Sequence, residues 1–124
     1  MAKFVRIDHI AIHVGNLNIS KSFYETHFGF HTYFQHQTSN GINIAYLRLN
    51  DTVLELTELE DGAVNGFHFC LECEGFEEAI EKLCKTGLKV VQAPHKTAAR
   101  SARERNWQRV VFEGPDGEQI EVRG

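Results

Sequence analysis

Two histidines and two glutamates carry the strongest chemical signal in this sequence, because each has a counterpart of its own type further along the chain. His9 and His68 lie 59 positions apart, and Glu55 and Glu121 lie 66 positions apart. Imidazole nitrogens and carboxylate oxygens together suit divalent Zn, Ni, Fe, Co or Mn. Four protein ligands leave an octahedral ion two exchangeable positions, which could chelate adjacent oxygens of a substrate. We therefore predict one divalent metal ion per site, with its identity left open.

The alternation of side chains along the surrounding strands predicts that these residues share a face. His9 and His13 point away from the aliphatic residues of their strand, and Glu55, His68 and Glu121 oppose apolar neighbours in the same way. The solvated side of an antiparallel sheet would give the same alternation. The matching positions in two repeated segments favour a metal site over that reading.

These residues belong to two copies of a strand–helix–strand–strand–strand pattern. The first copy has strands at about 5–14, 30–34, 42–49 and 52–58, with a helix capped by Asn16 or Asn18 and closed by Gly29. The second has strands at about 66–73, 88–92, 109–113 and 119–123, with a helix closed by Gly87. The glutamates are seven positions further apart than the histidines, so the second copy contains seven extra residues. These are most easily placed in the segment 93–108.

This pattern predicts an α+β fold in which two tandem βαβββ modules form a partly closed mixed β-barrel. The modules would span about 1–60 and about 65–124 of a single domain covering residues 1–124.

Composition excludes several other classes of protein. The content of 42% hydrophobic and 24% charged residues is ordinary for a globular domain, and the net charge of -4 disfavours nucleic acid or an anionic membrane as the partner. No apolar run approaches the length of about 20 residues that a membrane span needs. Three cysteines without an export signal indicate reduced thiols, so we expect a cytoplasmic protein. Cys70 and Cys73 would face opposite sides of a strand, which argues against a zinc or redox pair.

Several short motifs resemble those of one family over essentially the whole chain. They are Asp8-His9-Ile10-Ala11, Phe23-Tyr24-Glu25-Thr26-His27-Phe28-Gly29-Phe30, Leu54-Glu55-Leu56, Phe67-His68-Phe69, and Gly114-Pro115-Asp116-Gly117 ahead of Ile120-Glu121. In order and spacing, the chain resembles the vicinal oxygen chelate (glyoxalase/bleomycin resistance/extradiol dioxygenase) superfamily, and glyoxalase I-like proteins most of all. The resemblance implies that His9, Glu55, His68 and Glu121 are the metal ligands.

The resemblance also implies a mechanism and an assembly. A metal-bound carbonyl or hydroxyl pair would lose a proton to a loosely held glutamate, and the enediolate formed would be neutralised by the cation. Glu121 is our choice for that base, with Glu55 as the alternative. The family often builds each site from modules of different subunits, so a homodimer is expected. His13 and, approximately, Leu59 replace the glutathione-binding residues of bacterial glyoxalase I, so we expect a different substrate.

A basic segment and one histidine are further candidates for substrate binding. Arg100, Arg103 and Arg105 accompany Trp107 in the long segment of the second copy. They would form either a lid that captures an anionic substrate or a solvated loop. His13 shares the face of His9 and would act as an acid, a base or a substrate contact, unless it is simply exposed at a strand end.

The function predicted from these features is that of a metal-dependent lyase or isomerase acting on a small vicinal-oxygen (hydroxy-carbonyl) substrate. One alternative is a metal-free binding or sequestering protein of the bleomycin-resistance type. A less favoured alternative is an Fe(II) dioxygenase, because a fourth protein ligand leaves less room for oxygen.

Overall fold

A computed structural model describes residues 6–60 and 68–124 of the chain. The chain divides into two compact units, Met1–Val64 and Asn65–Gly124. In its described residues each unit is one βαβββ module with a four-stranded mixed sheet, which confirms the predicted fold class.

Unit 1 begins with the strand β1 and its helix α1. The elements are β1 (Ile10–Val14), α1 (Leu17–Phe28), β2 (His31–Gln37), β3 (Asn43–Leu49) and β4 (Thr52–Glu58). The sheet order is β1-β4-β3-β2, with β1 parallel to β4 and the other pairs antiparallel. Asn16 caps the helix by accepting the backbone N–H of Ile19 at 3.0 Å, and Gly29 closes it with φ 76°. Both predicted helix boundaries are confirmed.

Unit 2 repeats this arrangement. Its elements are β5 (His68–Glu72), α2 (Phe76–Lys85), β6 (Val90–Lys96), a short 3₁₀ helix (Ala102–Glu104), β7 (Gln108–Glu113) and β8 (Gln119–Arg123). The sheet order is β5-β8-β7-β6, and β5 is parallel to β8. The predicted start of β5, at residues 66 and 67, lies outside the described residues.

The two sheets have the same register where it matters for the site. Ala11 pairs with Glu55 across β1 and β4, and Cys70 pairs with Glu121 across β5 and β8. The partners Phe34 and Tyr46 are 12 positions apart, whereas Gln92 and Val111 are 19 apart. The seven extra residues therefore lie between β6 and β7, as predicted.

Apolar residues on one face of each sheet form the cores. Ile12, Val14, Leu54 and Leu56 are buried in unit 1, and Ile120 and Val122 are buried in unit 2. This burial supports the predicted facing of the strands, because Glu55 and Glu121 alternate with these residues.

One local prediction in unit 2 was wrong. Strand β6 does not end near residue 92 but continues to Lys96, and it passes through Pro94. An edge strand tolerates this proline, which lies where the pairing with β7 is irregular, between Gln92 and His95. On α2, Phe76 is buried and Cys84 is exposed. Among the residues described, no helix is long and apolar enough to cross a membrane.

Candidate metal-binding site

The first imidazole–carboxylate pair lies on β4 and directly before β1. His9 Nε2 is 3.7 Å from Glu55 Oε1. The Glu55 side chain is 14% exposed and that of His9 is 38% exposed, so the pair opens to solvent on the imidazole side. The alternation within β4 turns Glu55 away from Leu54 and Leu56, and this is what brings it to His9.

The other ring nitrogen of His9 is occupied by the preceding residue. His9 Nδ1 lies 2.9 Å from Asp8 Oδ2. The hydrogen bond from His9, with the charge of that ring and of Arg6, lowers the pKa of Asp8. The Asp8 carboxylate can only accept a hydrogen bond, so Nδ1 must carry the proton of a neutral His9 ring. Nε2 then keeps its lone pair. Nε2 is the atom that faces Glu55, which is the orientation a metal ligand requires.

Glu55 is held by two hydroxyl groups. Thr57 Oγ1 donates to Glu55 Oε2 at 2.7 Å, and the Tyr46 phenol lies beside the same carboxylate. Burial favours the neutral acid, but the two hydroxyl groups and the imidazoles of His9 and His36 outweigh it and lower the pKa of Glu55. The Glu55 carboxylate in turn raises the pKa of the Tyr46 phenol. Glu55 is therefore an ionised acceptor with one oxygen directed at His9.

The second pair, in unit 2, has a different set of supporting residues. His68 Nε2 is 3.6 Å from Glu121 Oε2. Glu121 Oε1 accepts from Arg109 Nε at 2.9 Å, and Arg109 Nη1 contacts Gln92 Oε1 at 3.0 Å and His95 Nε2 at 3.3 Å. An arginine thus holds Glu121 where hydroxyls hold Glu55. Glu121 is 12% exposed and His68 is 61% exposed.

The donor atoms of each pair are close to the spacing that a metal ion requires. Ligands at about 2.0–2.2 Å from Zn(II) are about 3.3–3.6 Å apart at tetrahedral positions and about 2.8–3.1 Å apart at adjacent octahedral positions. The observed separations of 3.7 and 3.6 Å are close to the upper end of the tetrahedral range. Within neither unit do the described residues bring three or more His, Cys, Asp or Glu side chains together for a metal ion. Each unit thus offers two ligands.

The arginines predicted to capture an anion are partly engaged with carboxylates of their own unit. Arg100 Nε donates to both carboxylate oxygens of Glu104, at 2.9 and 3.0 Å, and Arg103 donates to Glu72. Arg105 is exposed at the end of the 3₁₀ helix. These contacts make the segment an ordered part of unit 2.

Trp107 and Arg123 anchor the same segment. The Arg103 guanidinium lies 4.7 Å from the centre of the Trp107 ring and that of Arg123 lies 5.9 Å away. Arg123 Nη2 also donates to the buried Glu104 carboxylate at 3.1 Å. His13, the remaining predicted contact, is exposed on β1 and pairs with Thr57 across the ladder.

An aromatic cluster adjoins the first pair. Tyr46 has its ring centre 6.0 Å from those of both His9 and Phe34, and 6.4 Å from that of Tyr33. Tyr33 is 42% exposed and Phe34 is 52% exposed. The Phe34 ring is therefore half exposed beside the candidate site, whereas Phe112 of β7 is fully buried in the core of unit 2.

Sequence reasoning missed Tyr46, Thr57 and Arg109 as supports of the two carboxylates. Their strand positions were readable, since Tyr46 pairs with Glu55 and Thr57 follows it by two residues on the same face. Arg109 directly follows the segment 93–108 in the sequence. Cys70, on the face of His68, is exposed; partial burial and then the Glu121 carboxylate raise the pKa of its thiol to about 11.

Similar folds occur among solved structures. The glyoxalase family protein from Enterococcus faecalis shares 22% identity, with 98% of each chain covered and a TM-score of 0.79. TnmS3, an antibiotic binding protein from Streptomyces sp. CB03234, shares 17% identity, with 98% of this chain and 97% of that chain covered and a TM-score of 0.79. FosX, a fosfomycin resistance protein from Listeria monocytogenes solved with Mn(II) and sulfate, shares 12% identity, with 98% and 93% covered and a TM-score of 0.75. At these identities the likeness shows the fold.

Sequence comparison identifies the family directly. No protein with a curated description matches the sequence. The family model for the Glyoxalase/Bleomycin resistance protein/Dioxygenase superfamily, in contrast, matches residues 6–122. This match spans both modules and all four candidate ligands. The chain therefore belongs to the Glyoxalase/Bleomycin resistance protein/Dioxygenase superfamily.

Proposed function

We propose that this protein is a divalent-metal-dependent, glyoxalase-like lyase or isomerase that acts on a small vicinal-oxygen (hydroxy-carbonyl) substrate. His9, Glu55, His68 and Glu121 are the proposed metal ligands. One observation carries the proposal: both units place an imidazole Nε2 within 3.7 Å of a carboxylate oxygen. The two pairs occupy equivalent positions, one beside the β1–β4 ladder and the other beside the β5–β8 ladder. A solvated sheet face does not require the same residue types at the same two positions in both modules.

The side chains supply the remaining chemistry. The bound ion would act as a Lewis acid on two adjacent substrate oxygens. Removal of a proton from the carbon beside the carbonyl is assigned to Glu121, with Glu55 as the alternative. Arg109 keeps Glu121 Oε1 in place while Oε2 faces His68, so Oε2 is the atom that would receive the proton. Asp8 orients the His9 ring through Nδ1.

Relatives of the same fold support this class of function without fixing its details. The FosX structure contains Mn(II), a metal that imidazole and carboxylate ligands accommodate. We propose a homodimer and a small, anionic substrate as the partners. Arg105 is the arginine we assign to that anion, because Arg100, Arg103 and Arg109 already have carboxylate partners.

Metal content tests the proposal first. Protein purified without added metal, and apo-protein dialysed against Mn(II), Co(II), Ni(II) or Zn(II), should hold close to one ion per site by elemental analysis. His9→Ala and His68→Ala should each lower occupancy, whereas His31→Ala, an exposed histidine on the edge strand β2, should not. Metal bound to no more than trace levels in the wild-type protein would refute the proposal.

The base is tested by a conservative substitution. Glu121→Gln keeps the shape and an oxygen that Arg109 can donate to, but it removes the charge. Turnover of hydroxy-carbonyl and dicarbonyl compounds should fall about 10²–10⁴-fold, the usual contribution of a general base. A variant that keeps more than about a tenth of wild-type activity would move the role to Glu55.

A metal-free binding protein is the second candidate, and the exposed aromatic rings favour it. Tyr33 and Phe34 offer apolar surface beside Tyr46, and TnmS3 is an antibiotic binding protein of the same fold. In that case the protein would bind aromatic ligands with the same affinity before and after metal is removed. A clean apo-protein with weak metal affinity and tight ligand binding would establish this function in place of the enzyme.

A further inference from the structure

The two oxygens of the Glu55 carboxylate have different partners. Oε1 lies 3.7 Å from His9 Nε2, and Oε2 accepts from Thr57 Oγ1 at 2.7 Å. The Tyr46 phenol lies beside the same carboxylate. Thr57 is 9% exposed, so its hydroxyl acts from inside the unit. With Oε2 fixed by a short hydrogen bond, Oε1 remains directed at the imidazole.

Tyr46 is itself held in place by rings on three sides. Its ring meets His9 edge-on at 6.0 Å, lies parallel to His36 at 6.3 Å with an interplanar angle of 10°, and packs against Phe34 at 6.0 Å. Such contacts restrict movement of the whole side chain and with it the position of the hydroxyl. Tyr46 therefore contacts both candidate ligands of unit 1, His9 through its ring and Glu55 through its hydroxyl.

The equivalent positions in unit 2 lack these hydroxyls. Val111 pairs with Glu121 as Tyr46 pairs with Glu55, and Arg123 takes the ladder position of Thr57. Glu121 is held by the guanidinium of Arg109 instead. The hydroxyl pair is thus not a requirement of the βαβββ sheet, since the second copy builds the same sheet without it.

The difference matters for a cation. A neutral hydroxyl orients a carboxylate and leaves its full negative charge for the metal, whereas a guanidinium orients it and opposes the metal's charge. We infer that Tyr46 and Thr57 are positioning residues for the metal centre, which hold Glu55 with one oxygen directed at the ion. This inference rests on the proposed function, because it assigns the support of one of the proposed ligands.

The test measures Mn(II) affinity in four single variants. Tyr46→Phe keeps the packed ring and removes only the hydroxyl, and Thr57→Val keeps the shape of threonine. Each should weaken Mn(II) binding about tenfold, the low end of the 10–100-fold range for residues that support a metal ligand. Thr57→Ser restores a hydroxyl and should return the affinity to within about twofold of wild type. Tyr33→Phe removes a neighbouring hydroxyl from the same aromatic cluster and should have no effect.

Equilibrium dialysis gives the dissociation constants, and thermal unfolding of the apo-proteins shows that each variant is folded. A purely structural role would change apo-protein stability and leave metal affinity untouched. If the wild type binds metal, and Tyr46→Phe and Tyr33→Phe bind Mn(II) with the same affinity as the wild type, the inference is overturned. The proposed metal-dependent function would not be affected by that result. A wild type that binds no Mn(II), Co(II), Ni(II) or Zn(II) would overturn the metal proposal and this inference with it. If Tyr46→Phe does not fold, the comparison of Thr57→Val with Thr57→Ser decides, and equal affinities there would refute the role.

Discussion

We predict that replacing His9 by alanine removes most of the thermal stabilisation that the proposed binding of Mn(II) would give to this protein. His9 Nε2 is one of the two donor atoms that unit 1 directs at the candidate centre, and the other belongs to Glu55. The alanine variant leaves that carboxylate without its imidazole partner. Mn(II) is the suitable probe because the three free cysteines, as soft ligands, would complicate titrations with Zn(II).

The magnitude follows from linkage and chain length. Mn(II) at 100 times its dissociation constant stabilises the folded protein by about 2.7 kcal/mol. With an unfolding entropy of about 2.1 cal/mol/K per residue, the 124-residue chain should show a shift in Tm of about 10 °C. Loss of a direct ligand should weaken binding at least as much as loss of a supporting residue, about 100-fold. The same Mn(II) concentration then gives His9→Ala a shift of only about 2 °C.

Differential scanning fluorimetry with and without Mn(II) measures both shifts. His68→Ala should lose the shift as His9→Ala does, because unit 2 contributes the equivalent imidazole. His31→Ala is the matched control and should keep the full shift. The reasoning is refuted if the wild-type protein shifts by less than about 1 °C with every divalent metal tested, or if the three variants shift equally.

Three further predictions concern neighbouring groups. Asp8→Asn should weaken Mn(II) binding about tenfold in equilibrium dialysis, because the amide orients the His9 ring less well than the exposed carboxylate does; unchanged affinity would remove that role. In a variant whose other two cysteines are serine, alkylation of Cys70 at pH 8 should be about 20-fold slower than that of a free cysteine. Since burial raises the pKa of this thiol to about 11, its rate should keep rising between pH 8 and 10, and a plateau near pH 9 would contradict this. Arg103→Ala should change the fluorescence emission of Trp107, because the ring centre of Trp107 lies 4.7 Å from the Arg103 guanidinium. The variant should bind Mn(II) with unchanged affinity. A loss of Mn(II) affinity would show that the segment 93–108 supports the metal site.

The elements and the facing of Glu55 and Glu121 were predictable because they depend on local patterns. Asn16 and Gly29 mark the ends of α1 with an N-cap and a positive φ, and the bounds of β4 follow from its alternation. The unequal spacing of the histidines and the glutamates located the seven-residue excess between β6 and β7. These features need only the chemistry of each residue and its distance along the chain.

The supports of the two carboxylates were not predictable in this way. Whether Arg109 extends into solvent or turns to Glu121 depends on side-chain rotamers and on partners from β6, and neither leaves a periodic signal. Glu104 reads as a solvated residue in a charged segment, yet it is buried because Arg100 and Arg123 converge on it. The extension of β6 through Pro94 was not predicted, because a proline usually signals the end of a strand.

The parallel ladders that join β1 to β4 and β5 to β8 have a consequence for how this protein can change over time. In each module the histidine lies two residues before the residue that pairs with the glutamate, so backbone pairing sets the spacing of the imidazole and the carboxylate. Drift in loops, helix surfaces and strand edges leaves that spacing intact, whereas a one-residue slip of β4 or β8 turns its glutamate to the opposite face. The pocket around each histidine–glutamate pair can therefore change during evolution while the pair itself stays in place. Related proteins can then acquire different ligand specificities on the same pair of sheets.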